Sequence, residues 1–206
     1  MLIDARTLPE GIEIETDLCI VGSGVAGLTL AQALDQALAG RGLRMVVLEG
    51  GGLDYDPASQ ALYEGRLLGN PAAGLDWSRL RYFGGTSNHW GGYCRPLDGI
   101  DFAERSWVPD SGWPIDGSSL EPYYAAAADV LDLAGPDFSA DHWRGSVAPV
   151  FGREDLGRAL PTRIFQQSPP TRFGEKYRHV VERGHGIDAH LWANVVEIEP
   201  TLPPTR

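Results

Sequence analysis

Apolar and polar positions follow two rhythms in the first part of this chain. Leu18-Cys19-Ile20-Val21 is an unbroken apolar run, the pattern of a strand buried on both faces. Leu28, Ala31, Leu34 and Leu38 then recur at helical spacing and give one apolar stripe, and Gly40 and Gly42 predict the helix end. Met45-Val46-Val47-Leu48 reads as a second buried strand. The pattern predicts a βαβ unit over residues 14–52, and the short lead before it is suited to an extra edge strand.

The rhythm weakens further along. Residues 54–77 are polar and turn-rich without a period, too long for a simple connection, and are expected to be a lid or insertion. Residues 119–133 predict a helix, with Ser118 or Ser119 as cap, Pro122 in the first turn, an apolar face of Tyr124, Ala127, Ala128 and Leu131, and Gly135-Pro136 as its end. Residues 161–168 predict a strand cut by Pro169-Pro170, and 173–181 a short helix. Residues 187–198 predict two short strands around an Ala193-Asn194 turn, one returning to the first sheet, before Pro200, Pro203 and Pro204 stop the pattern. A parallel sheet of so few strands is expected to be an incomplete doubly wound sheet with inserted segments. No internal repeat stands out.

The turn between the first strand and helix carries the chemistry. Gly22-Ser23-Gly24-Val25-Ala26-Gly27 has GxGxxG spacing, and Glu49 closes the next strand. A diphosphate needs backbone N–H donors at close range, which side chains at Gly22 and Gly24 would obstruct. A side chain at Gly27 would push the helix off the strand. The helix N-terminus favours the anion, and an acidic residue at the position of Glu49 suits a ribose hydroxyl pair. These residues point to a bound dinucleotide. Gly50, Gly51 and Gly52 follow, and either pass close to an adenosine or form a plain loop.

Composition narrows the field. The chain has 206 residues, enough for one or two domains, and a formal net charge of −11, which gives nucleic-acid binding no electrostatic support. No apolar run approaches a membrane span, and Met1 to Arg6 lack the pattern of a secretory signal. Cys19 is expected in the core and Cys94 stands alone, so neither a disulfide framework nor a zinc site is indicated and a cytoplasmic setting is the default. His179, His185 and His190 lack metal-helix spacing, and Gly22-Ser23-Gly24 is not a nucleophile elbow.

Gly84-Gly85-Thr86-Ser87-Asn88-His89-Trp90-Gly91-Gly92 is poor secondary-structure material. Two readings stand: a backbone folded against a flat ring, or a surface turn around a buried Trp. Taken with Leu48-Glu49-Gly50-Gly51, with Gly112-Trp113-Pro114-Ile115 and with Leu120-Glu121-Pro122-Tyr123-Tyr124, the stretch resembles the N-terminal part of a glucose–methanol–choline (GMC) oxidoreductase, nearest to the pyranose-oxidase-like subgroup. The resemblance runs from about residue 14 to 199.

It implies a Rossmann-like FAD-binding domain and oxidation of CH–OH groups in sugars or other alcohols by hydride transfer to flavin. Gly22, Gly24, Val25, Ala26 and Gly27 would serve the diphosphate, and Glu49 and Gly50 the adenosine. Gly84, Gly85, Thr86, Ser87 and Trp90 would lie by the flavin, in a contacting segment 82–94 within an insertion spanning 53–186. Val195 and Val196, on returning strands 187–199, would flank the adenine. His89 stands where some relatives join a histidine to the flavin 8α-methyl group; its other reading is packing or hydrogen bonding near the ring. In the family the catalytic histidine and its His or Asn partner come late in the chain, so the substrate domain is expected to be absent from these 206 residues, no catalytic residue is assigned, and the electron acceptor is not readable. Two alternatives remain: an inactive truncated fragment of such an enzyme, or a nicotinamide-binding dehydrogenase or nucleotide-sensing module resting on the first motif alone.

Overall fold

Parallel strands cannot be joined by tight turns, so each step across a parallel sheet needs a crossover, and crossovers in one direction put their helices on one face. The computed structural model describes residues 1–69, 73–146, 162–184 and 186–200. Pro161, His185 and residues 201–206, which carry part of the predicted strand at 161–168, one of the histidines and two of the final prolines, lie outside them. The chain divides into two compact units, one of Met1–Trp90 with Arg172–Arg206, the other Gly91–Thr171.

The first unit opens with strand β1 (Leu2–Asp4), then β2 (Leu18–Val21), helix α1 (Val25–Ala37) and β3 (Met45–Leu48). Short helices α2 (Pro57–Gln60) and α3 (Leu75–Ser78) follow, with a 3-10 turn at Ala61–Tyr63 between them. The second unit holds β4 (Tyr93–Cys94), α4 (Gly99–Phe102), α5 (Tyr124–Val130) and β5 (Gln166–Gln167). The chain then returns to the first unit with α6 (Phe173–Lys176), α7 (Arg178–Arg183) and β6 (Ile187–Leu191).

The first unit is an α/β domain with a four-stranded parallel sheet in the order β1-β6-β3-β2. The βαβ unit forms as its pattern predicts, and the lead supplies the far edge strand β1, paired with β6 through Leu2↔Ala189 and Asp4↔Leu191. Facing partners of a parallel ladder share a face, so Ile20, Val47 and Ala189 make one row, and Met45 and Ile187 another. These residues are buried together with Leu28 and Ala31 of α1 and Val180 and Val181 of α7. The two helices also touch each other, as same-face crossovers must.

The other face corrects two expectations. Cys19 is exposed and Val21 is 60% exposed, so β2 is not buried on both faces and Cys19 is not a core residue. β2 is the sheet edge, and an apolar run reads the same whether its outer face is covered or bare. β6 is one strand rather than two. Trp192 takes a left-handed φ of 60°, which no regular strand tolerates, and its N–H donates to the Gly51 carbonyl at 2.9 Å. Residues 193–199 then run without strand pairing.

The predicted helix at 119–133 shrinks for a similar local reason. Pro122 removes a donor, and Glu121 and its neighbours form tight 3-10 turns at Gly117–Ser119 and Glu121–Tyr123, the first capped by the Asp116 carboxylate. α5 then ends before Asp132, at φ 56°, three residues ahead of Gly135. The predicted helix at 173–181 is broken at Tyr177 into α6 and α7. Within the second unit, β4 and β5 pair antiparallel, and α4 carries a capping box of Asp98 and Asp101.

Candidate functional site

The site is built on the turn from β2 into α1. Gly22 has φ +92°, a conformation that disfavours any side chain, and its N–H donates to the Leu48 carbonyl at 2.7 Å, tying the turn to β3. Gly24 is the N-cap of α1 and brings no side chain, so nothing in the cap competes for the first-turn N–H groups. A Cβ at Gly22 or Gly24 would meet no atom within 4 Å, which means both face open space. A Cβ at Gly27 would sit 1.9 Å from the Gly22 carbonyl oxygen and 3.4 Å from Ile20 Cγ2, so this glycine lets the helix seat against strand and turn.

That open space is a groove of about 360 Å³, within the ~300–1,000 Å³ range of ligand pockets. Gly22, Gly24, Glu49, Gly50, Gly85 and Thr86 line it. The two glycine segments touch: the Gly84 N–H donates to the Ser23 carbonyl at 3.1 Å, and a Cβ at Gly85 would lie 3.1 Å from Gly24 Cα. Asn194 and Val195 line it as well.

Glu49 is buried and its carboxylate is already engaged. Oε2 accepts from the Ser23 N–H at 3.1 Å and the Ser23 hydroxyl at 2.5 Å, and Oε1 accepts from the Gly51 N–H at 3.0 Å. A carboxylate has about four acceptor positions, so one remains for a ligand hydroxyl. The run Gly50, Gly51 and Gly52 is packed by protein: a Cβ would meet the Arg81 guanidinium, the Arg81 carbonyl or the Trp192 ring respectively.

Of the residues picked out in the sequence, Gly22, Gly24, Glu49, Gly50, Gly85, Thr86 and Val195 meet in the groove. Val25, Ala26 and Gly27 form the first turn of α1 behind it. Gly84, at φ +94°, has the Gly174 backbone 2.4 Å from where its Cβ would be, and Ser87 is buried with its hydroxyl donating to the Gly84 carbonyl and accepting from the Phe173 N–H. Both therefore brace the 85–88 turn against α6. His89 is exposed and its N–H closes that turn onto the Thr86 carbonyl; Trp90 offers its carbonyl to Arg172. Val196 is 93% exposed. None of these last five lines the groove.

Sequence reasoning missed one wall. Tyr63, Arg79, Leu80 and Arg81 line the groove. Arg81 Nη2 donates to Asn194 Oδ1 and to the Gly50 carbonyl, and the guanidinium lies 4.8 Å over the Tyr63 ring. Its Nε is buried with no hydrogen-bond partner among the described residues. Arg79 is exposed, and among the described residues its guanidinium donates to the neighbouring Ser78 carbonyl. The available signal was a pair of cations just ahead of Gly84 in a chain of net charge −11.

A second cavity in the same unit, about 290 Å³, is lined by Asp54, Tyr82, Asn88, Arg172 and Glu175 among others. Burial pushes the Tyr82 phenol above its ordinary range, against the opposing pull of Arg172 and Asn88. The described histidines outside the groove have other settings: His179 Nδ1 lies 2.9 Å from the Lys176 carbonyl, His142 is 3.4 Å from Asp137, and His190 is buried in β6. Among the described residues no group of three or more His, Cys, Asp or Glu could hold a metal ion, and no helix is long and apolar enough to cross a membrane. No protein-family model and no curated protein matches the chain.

Proposed function

We propose that this chain is the Rossmann-like, FAD-binding part of a GMC-type oxidoreductase that oxidises CH–OH groups of sugars or other alcohols. The observation that carries the reading is the shared groove: the opening glycine turn and the 84–90 segment, separated by some sixty residues of sequence, border the same cavity. The residues fit the adenosine diphosphate half of the cofactor. Gly22 and Gly24 leave the room that two phosphates need, and the uncapped start of α1 offers N–H groups to them. Glu49 is held rigidly by Ser23 and Gly51, with acceptor capacity left for a ribose hydroxyl. Gly85 and Thr86 would begin the flavin end of the site.

When bound, FAD would accept the hydride of an alcohol. The chain's own part is to bind and orient it; no residue here is assigned as the base that takes the hydroxyl proton. A sugar or alcohol donor, and an acceptor still to be identified, complete the proposed reaction.

The test is direct. The purified protein is examined for a flavin absorption spectrum, and the ligand-free protein is titrated calorimetrically with FAD, ADP and NAD. The expected result is bound flavin, or saturable binding of added FAD together with ADP. A folded protein that takes up neither defeats the reading, and tight NAD binding without FAD binding transfers it to the nicotinamide alternative. Colour that persists in the acid-precipitated pellet shows a covalent bond, and its loss in His89→Ala assigns the bond to His89.

A further inference from the structure

We infer that Arg79 and Arg81 form an anion-recognition wall of the groove, with Arg79 neutralising the cofactor diphosphate and Arg81 positioning the lining that meets the adenosine. This rests on the FAD reading of the same groove and adds residues that the glycine motif does not contain. The charged side chains lining the cavity are Glu49, Arg79 and Arg81. Two guanidinium charges thus face one carboxylate, a formal excess of one positive charge in the lining although the whole chain carries −11.

The two arginines differ in what holds them. Arg79 is exposed, makes one hydrogen bond to the adjacent Ser78 carbonyl, and pairs with no carboxylate among the described residues. It is a free charge at the groove wall, suited to oxygens that carry charge. Arg81 is fixed: Nη2 ties Asn194 to Gly50, and the guanidinium lies over Tyr63. It thereby joins three parts of the groove lining. Its buried Nε–H has no acceptor among the described residues. A guanidinium presents its donors in a planar fork, which an ammonium cannot reproduce.

Arg79→Met, Arg79→Lys and Arg81→Lys are compared with the parent protein for binding of adenosine, ADP and FAD, with thermal unfolding as the check on folding. Arg79→Met is expected to weaken ADP at least tenfold, leave adenosine within twofold, and flatten the dependence of ADP affinity on salt. Arg79→Lys is expected to keep most of the ADP affinity. Arg81→Lys, which retains charge but not the fork, is expected to weaken adenosine and ADP alike. ADP binding unchanged in Arg79→Met, or adenosine unchanged in a folded Arg81→Lys, overturns the respective assignment while FAD binding by the parent protein keeps the broader reading intact. A parent protein that binds neither ADP nor FAD overturns both.

Discussion

Two glycines three residues apart show how the same residue type serves opposite ends. Gly27 exists for the fold. Its Cβ would lie 1.9 Å from the Gly22 carbonyl oxygen, a contact with backbone that cannot swing aside. Gly24 lines the groove. Its Cβ would meet nothing within 4 Å, and its φ of −73° is open to any residue. Gly27→Ala is therefore expected to destabilise the protein by roughly 3 kcal/mol, at the upper end of the usual overpacking cost, read as a fall in the denaturant midpoint. Gly24→Ala is expected to cost about 1 kcal/mol or less, as an N-cap change, yet to weaken ADP binding, since under the proposed function the added methyl occupies phosphate space. Equal stability losses from the two substitutions would contradict this division of roles.

At the scale of elements, β2 is the informative one. It is an edge strand whose inner face packs under α1 through Ile20, while Cys19 and Val21 on the other face are exposed. Cys94 is half-buried, and burial pushes its thiol up, which lowers its thiolate fraction near neutral pH. Labelling with an aromatic disulfide reagent under native conditions should show two phases, the fast one abolished by Cys19→Ser. A single phase that survives Cys19→Ser would mean that the outer face of β2 is covered. The elements legible in the sequence were those whose pattern repeats or whose spacing is chemically fixed: the β2–α1–β3 unit, and the glycine turn with Glu49. What escaped depends on partners distant in sequence or on single backbone angles. An apolar run does not say whether its outer face is covered, so Cys19 was placed in the core. Pro122 and the left-handed Asp132 trimmed a helix that its apolar stripe had made longer. Tyr63, Arg79 and Arg81 come from a stretch without period and reach the groove through tertiary packing, which no local pattern encodes.

At the scale of the molecule, the division into units says what the groove depends on. Every residue lining it belongs to Met1–Trp90 or to the segment that returns at Arg172, and so does the core of the parallel sheet, from Ile20 to Leu191. The second unit, Gly91–Thr171, is inserted between them in sequence. The two ends where the chain leaves and re-enters the first unit are close: Arg172 Nη1 lies 3.4 Å from the Trp90 carbonyl oxygen, and Nη1 also donates to the Ser87 carbonyl at 2.9 Å. The ends are thus separated by no more than the reach of one arginine side chain. A flexible link of about six Gly and Ser residues has a root-mean-square span of roughly 13 Å, enough to close that distance. A chain in which such a link replaces residues 91–171 is expected to unfold in one cooperative transition, since the sheet, α1, α6 and α7 keep all their mutual contacts. It is also expected to bind ADP within about threefold of the full chain, a change of under 1 kcal/mol, because the link removes no lining residue. Cooperative unfolding with ADP binding lost would locate an essential part of the site in the inserted unit, and non-cooperative unfolding would show that the first unit leans on it for stability.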